Sequence, residues 1–144
     1  MTVPHGVRDD VFLILLRAAQ RGRTVMYGSI MRACGIPRGQ ITHNGKAIGD
    51  VVGAISEWTW ESWGVYLSSI VVDKNTGFPG GGFFGLTGVP SKLKRNPAQW
   101  ADNKLSDDEK AFIKKCQIDV FLWARESQLS ISVSGLKARA KAAS

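Results

Sequence analysis

Apolar positions recur at helical spacing in three stretches before residue 60 and in one stretch after residue 105, with a β-branched segment between them. From Val7 to Gln20, Val11, Leu15 and Ala18 form one stripe with Phe12 and Leu16 beside it. Asp9 and Asp10 lie in the first turn, where negative charge suits the helix dipole, and Gly22 is placed to close the C-terminal end. From Thr24 to Pro37 the sequence TVMYGSIMRACGIP puts Ile30, Met31 and Cys34 at helical spacing, then stops at Gly35 with Pro37 just beyond. From His43 to Ser56, Ala47, Ile48, Val51, Val52 and Ile55 share an apolar side, leaving Lys46 and Asp50 elsewhere on the surface. The last helix is expected over Ser106 to Gln128. Ser106 and Glu109 form a capping box there, and Phe112, Cys116, Val120 and Trp123 run along one face.

Between these helices, Val65 to Val72 is rich enough in β-branched and aromatic residues for a strand. Asp73 to Gly77 supplies turn residues, and Phe78 to Phe84 is the candidate returning strand, confined to an edge by Pro79. Three helices and then a hairpin predict a mixed α/β, mainly α fold: a winged helix-turn-helix with a short β-hairpin wing and an added C-terminal helix. The expected organisation is one domain over residues 1–134, with the helical extension at about 105–129 and a basic flexible tail over 135–144. In such a fold the second helix of the pair can lie in a DNA major groove. Lys74 would sit at the wing tip, and Lys92, Lys94 and Arg95 would make a second basic spot.

Charge turns this topology toward a class of partner. The 144 residues carry 19 Lys and Arg against 12 Asp and Glu, a net charge of +7. Such an excess favours polyanions, and each phosphate neutralised would release counterions and make binding salt-sensitive. Duplex DNA is therefore the expected partner. Cys34 and Cys116 lie within helical apolar patterns and read as buried free thiols. His5 and His43 are remote in sequence from both cysteines, so no metal site is expected, and no motif asks for a cofactor. Asp50, Glu57, Asp73 and Lys74 match no metal-nuclease spacing. The longest apolar run, Val11 to Leu16, is far short of the ~20 residues needed to cross a bilayer, and no secretory leader is visible. A cytoplasmic protein with no membrane partner is expected.

With these elements in place, the stretch from about residue 7 to 88 resembles the C-terminal DNA-binding domain of alkylguanine-DNA alkyltransferases and the alkyltransferase-like proteins. The pieces that carry the resemblance are GRTVMYGSIMRACGIP, KAIGDVVGAIS and LSSIVVDKNTG. They stand where the family has G-x-V-x-Y-G-x-I-A-x-x-x-G-x-P, then R-A-V-G-x-A on a recognition helix, then P-C-H-R-V-V ahead of a glycine-bearing turn. The resemblance implies that Tyr27 presses on the phosphate beside a flipped nucleotide and that Lys46 takes the place of the arginine finger. Flipping needs both a backbone lever and something to fill the vacated stack. Leu67, Ser68, Ser69 and Ile70 replace Pro, Cys, His and Arg, so the acceptor thiol is missing. A serine without the adjacent histidine has no base to activate it. The implied protein is not an enzyme: it binds DNA, chiefly through phosphates, and recognition of an altered or flipped base stays open because the acceptor segment has changed.

The candidate DNA-contacting residues are Tyr27, Arg38, Thr42, Asn44, Lys46 and Lys74. Trp58, Trp60 and Trp63 form a second candidate set, read either as core or as a surface for stacking bases or a protein partner. On the second of these readings the protein is an interaction module, of a mobile element or defence system, built from the tryptophans and the C-terminal helix. Glu57 and Glu61 read as surface carboxylates. Gly45, Gly49 and Gly53 recur every four residues on one helical face, which implies a close neighbour there, either another helix, the favoured reading, or a nucleic-acid backbone.

Overall fold

In the computed structural model, residues 4, 7–35, 42–43, 46–99 and 104–143 are described, leaving aside the side chains of 42, 43, 46, 47, 81 and 128–143. Four helices carry the fold: α1 (Asp9–Gln20), α2 (Tyr27–Ala33), α3 (Ile48–Trp63) and α4 (Asp107–Ala143). Four two-residue strands join them. β1 (Val25–Met26) pairs in parallel with β4 (Val71–Val72), and β2 (Thr42–His43) pairs antiparallel with β3 (Lys46–Ala47). The fold is thus mainly helical with a small parallel sheet.

α1 ends where the sequence requires. Gly22 adopts φ +65°, Arg23 N–H donates to Ala18 C=O (2.9 Å) and Gly22 N–H to Ala19 C=O (3.0 Å). This is the two-bond glycine stop that satisfies the last carbonyls of a helix. At the other end, Asp10 accepts hydrogen bonds from the Val11 N–H (2.9 Å) and from the Arg8 guanidinium. The Arg8 bonds are the main reason that its carboxyl is held down at about 2. α1 buries Val11, Phe12, Leu15, Leu16 and Ala19 against Ile30 of α2 and Val51, Val52 and Ile55 of α3.

A second apolar cluster gathers Tyr66, Phe83, Phe84, Leu86 and Val89 around Ile113 and Cys116 of α4. α4 bridges the two clusters, because Val120 and Ala124 belong to the first. Its buried stripe is Ile113, Cys116, Val120 and Ala124. Phe112 and Trp123 flank that stripe half-buried. The capping box forms as expected: Glu109 N–H donates to Ser106 Oγ (3.1 Å), and Ser106 N–H to Glu109 Oε1 (2.9 Å).

The expected wing hairpin is absent. Within Val65 to Val72, Leu67–Ile70 form a 3₁₀ turn, and only Val71–Val72 are strand, pairing with β1 rather than with the next segment of the chain. Residues Gly81–Gly85, expected as the returning strand, form a second 3₁₀ turn. Pro79 offers no N–H to a ladder and the glycines pack nothing, so the local turn wins there. A small hairpin does occur, earlier in the chain, at β2–β3. The helix expected from His43 therefore starts at Ile48 and runs on to Trp63, so the three tryptophans ride on α3 rather than on a linker. α4 likewise runs past Gln128 to Ala143.

Candidate functional site

The parallel pairing of β1 with β4 brings residues far apart in sequence around one cleft of about 460 Å³. Tyr27 enters from the first turn of α2 and Ser68 from the 3₁₀ turn just before β4. Gly49, Asp50, Gly53 and Glu57 come from one face of α3, and Pro79, Gly80, Gly82, Phe83 and Leu86 from the segment after β4. That volume lies within the ~300–1,000 Å³ usual for small-molecule sites.

The turn carrying Ser68 is held from α3 by polar side chains. Ser68 N–H donates to Ser56 Oγ (3.3 Å), Leu67 N–H to Thr59 Oγ1 (3.2 Å), and Thr59 Oγ1 to Val65 C=O (2.9 Å). From α4, Gln117 Nε2 donates to Ser69 C=O (3.0 Å). The backbone is therefore well satisfied, yet the Ser68 hydroxyl is not. Ser68 is 8% exposed and its Oγ is buried with no hydrogen-bond partner, as is that of Ser69. An orphaned buried hydroxyl costs about 1–3 kcal/mol, so it marks a place where a ligand can supply what the fold does not.

The glycine face of α3 is open rather than packed. A Cβ built at Gly49 would meet nothing within 4 Å, and one at Gly53 would meet only Leu86 Cδ2 at 3.9 Å. The expected neighbouring helix is not there, and Gly45 lies outside the described residues. These glycines, each costing about 1 kcal/mol relative to alanine inside a helix, keep the cleft wall clear.

Tyr27 stands across the cleft, its hydroxyl accepting a long hydrogen bond from Gly80 N–H (3.4 Å). Burial pushes its phenol above the ordinary range, with the Asp73 carboxylate adding to the effect. Glu57 Oε1 accepts the Thr87 N–H (2.8 Å), while Asp50 is exposed at the rim. Among the described side chains, no Lys, Arg or His lines the cleft. Neither cysteine does, and burial raises both thiols, that of Cys116 to about 12. Among the described residues no three His, Cys, Asp or Glu side chains group as a metal ion would need, and no helix is long and apolar enough to cross a membrane.

Of the sequence candidates, Tyr27 lines the cleft. Lys74 is exposed in the Asp73–Gly77 turn, which leads into the cleft wall at Pro79. It is not on a wing tip, since that hairpin does not form. Lys46 and Thr42 lie on the β3 and β2 strands immediately before α3, so Lys46 precedes the helix instead of riding on it. Arg38 and Asn44 lie outside the described residues.

The tryptophans are largely spent in packing. Trp58 sits edge-on to Phe12 (4.9 Å) and Trp63 (5.3 Å), Trp63 against Trp123 (5.2 Å), and Trp60 stacks on Tyr66 (6.0 Å). Trp63 keeps 39% of its surface exposed. Of the second basic spot, Lys92 and Lys94 are exposed, whereas Arg95 is drawn inward. Arg95 grips Glu109 in a two-pronged pair (2.7 and 2.9 Å), donates to Lys104 C=O (2.9 Å) and lies over the Phe84 ring, and Lys94 Nζ donates to Leu86 C=O (3.0 Å). Missed by sequence reasoning were Asp50, Phe83 and Leu86 as cleft residues. The four-residue glycine spacing was the one signal pointing to that face.

Comparison with protein-family models, with curated proteins and with solved structures finds no match to this chain.

Proposed function

We propose that this protein belongs to the class of non-enzymatic, duplex-DNA-binding proteins that present a short helix pair to the groove. Within that class we infer an alkyltransferase-like role, in which a base swung out of the stack enters the cleft beside α3. The observation that carries this reading is the cleft itself. Ser68 stands where the resembled family has its acceptor cysteine, and it lines a recess walled by bare glycines and by Tyr27, its own hydroxyl buried and without a partner. Tyr27 acts as the phosphate lever, Lys46 at the entry to α3 fills the vacated stack, and Lys74 meets phosphate across the cleft mouth. Arg38, Thr42 and Asn44 are the remaining candidate contacts of this reading. A bare hydroxyl with no base hydrogen-bonded to it binds and does not transfer. The protein-interaction reading loses support, because Trp58 and Trp60 are engaged with core rings.

The test is a titration of fluorescent duplex DNA, with and without one alkylated guanine, at low and moderate salt. The reading expects affinity to fall by at least about tenfold between 50 and 200 mM salt, as several phosphate contacts require. Lys46→Glu should abolish binding with the fold intact, by circular dichroism. Absence of any retardation of duplex or single strand at low salt overturns it.

A further inference from the structure

In a chain of net charge +7, the titratable groups among the described side chains of the cleft are two carboxylates, Asp50 and Glu57, and one phenol, Tyr27. Glu57 already accepts a backbone N–H from Thr87, whereas Asp50, one helical turn before Gly53, is exposed at the entrance. Phe83, 5% exposed, and Tyr27 supply aromatic surface to the same space. Carboxylates beside aromatic rings suit a planar cation, which gains both Coulombic attraction and contact with the rings' negative faces. Ser68, whose hydroxyl is buried and without a partner, lines the same cleft.

We infer that the cleft selects a cationic base, one alkylated on a ring nitrogen such as N7-methylguanine, over a neutral base alkylated on an exocyclic oxygen. Asp50 is the residue that sets this preference. The inference rests on the flipped-base reading above and names the class of lesion for that site. Asp50 acts at the entrance, where a positive ring is attracted and a displaced phosphate repelled. A neutral O6-alkylated guanine gains only stacking.

The experiment uses the full-length protein and three duplexes of one sequence: unmodified, carrying one O6-methylguanine, and carrying one N7-methylguanine stabilised against depurination by a 2′-fluoro sugar. Affinities are measured by anisotropy at two salt concentrations, for the natural protein and for Asp50→Asn. The expected result is a preference of about tenfold for the N7-methyl duplex over both others, the range a desolvated cation–aromatic and charge contact supplies. That preference should collapse in Asp50→Asn, a near-isosteric change at an exposed position. Glu57→Gln serves as a second probe of the same charge should Asp50→Asn alter the helix start. Equal or better binding of the O6-methyl duplex, or a preference that survives both variants, overturns the charge inference and leaves the flipped-base reading standing. Binding to all three duplexes without discrimination overturns both the inference and base entry. Failure to bind any duplex removes the DNA-binding reading as well.

Discussion

The two ends of the segment from residue 68 to 109 treat their polar groups in opposite ways. Around the start of α4, the donors and acceptors of the latch are matched: Arg95 to Glu109, Glu109 to Ser106 N–H, Ser106 Oγ to Glu109 N–H, and Lys94 to Leu86 C=O. Around the cleft, a hydroxyl is buried without a partner, Gly49 looks onto empty space, and Gly53 has room for a methyl group in ordinary contact with Leu86. The difference separates charge used to build from chemistry left over to act. A basic residue near a loop is a poor guide to a binding surface until its partners are known, while an unsatisfied group in a recess is a better one.

The largest expected effect lies on the saturated side. Arg95→Ala leaves the Glu109 carboxylate, 11% exposed, without its main partner and uncovers the Phe84 ring. A loss of about 3–5 kcal/mol is expected, the cost of breaking a buried pair from one side, read by urea unfolding. Acid should open the same latch. Burial alone would raise the Glu109 carboxyl, but the hydrogen bonds from Arg95 and Ser106 outweigh it and hold it below its ordinary value. A lowered folded-state value means that this stability is fully present above the unfolded value near 4.5 and is lost as pH falls through the folded one. An unfolding midpoint flat from pH 7 to 5 and dropping below about 4.5, with the drop blunted in Arg95→Ala, is the expected profile. If that variant unfolds as readily at pH 7 as the natural protein, the latch is ornamental.

Next in size is Gly88→Ala, in the aromatic cluster beside the latch. Gly88 has φ +85°, and a Cβ there would lie 2.3 Å from Trp60 Cζ2 and 2.6 Å from the Tyr66 hydroxyl. Tyr66 already donates to Thr87 C=O at 2.7 Å, so neither ring can retreat cheaply. A loss of about 2–3 kcal/mol is expected from strain and displaced packing together. An unchanged thermal midpoint would show the cluster to be looser than its ring contacts imply.

Legibility in the sequence divides along the same line. The α4 cap and the α1 stop were legible because their partners lie three to five residues apart, so spacing alone specifies the bonds. The role of Arg95 was not legible, since its partner stands 14 residues away across a loop and a run of Lys and Arg reads as surface. The cleft was still less so. Its walls meet only because Val25 pairs with Val71, and a short apolar strand does not announce which distant strand it will join. The hairpin expectation failed for the same reason: β-branched residues at 70–72 demanded a partner, and the nearest candidate, weakened by Pro79 and its glycines, lost to β1. The glycine spacing on α3 was read as packed against a helix, and the described face is open, because a missing side chain looks the same from sequence whether or not a neighbour fills the room.

That ambiguity gives the smallest and most discriminating stability change. Gly53→Ala places a methyl group 3.9 Å from Leu86 Cδ2, an ordinary contact, in the middle of a helix whose other terms are unaltered. The only large term left is the conformational freedom that alanine removes from the unfolded chain, so the variant should be more stable by about 0.5–1 kcal/mol. The same Gly→Ala change thus stabilises at the cleft and destabilises at residue 88. Gly53→Leu extends the comparison from stability to function. It should remain folded while filling the recess, so discrimination between alkylated and unmodified duplex disappears and salt-sensitive phosphate binding persists. If Gly53→Ala instead lowers the unfolding midpoint, the α3 face is packed in solution, and the cleft loses the wall on which base entry depends.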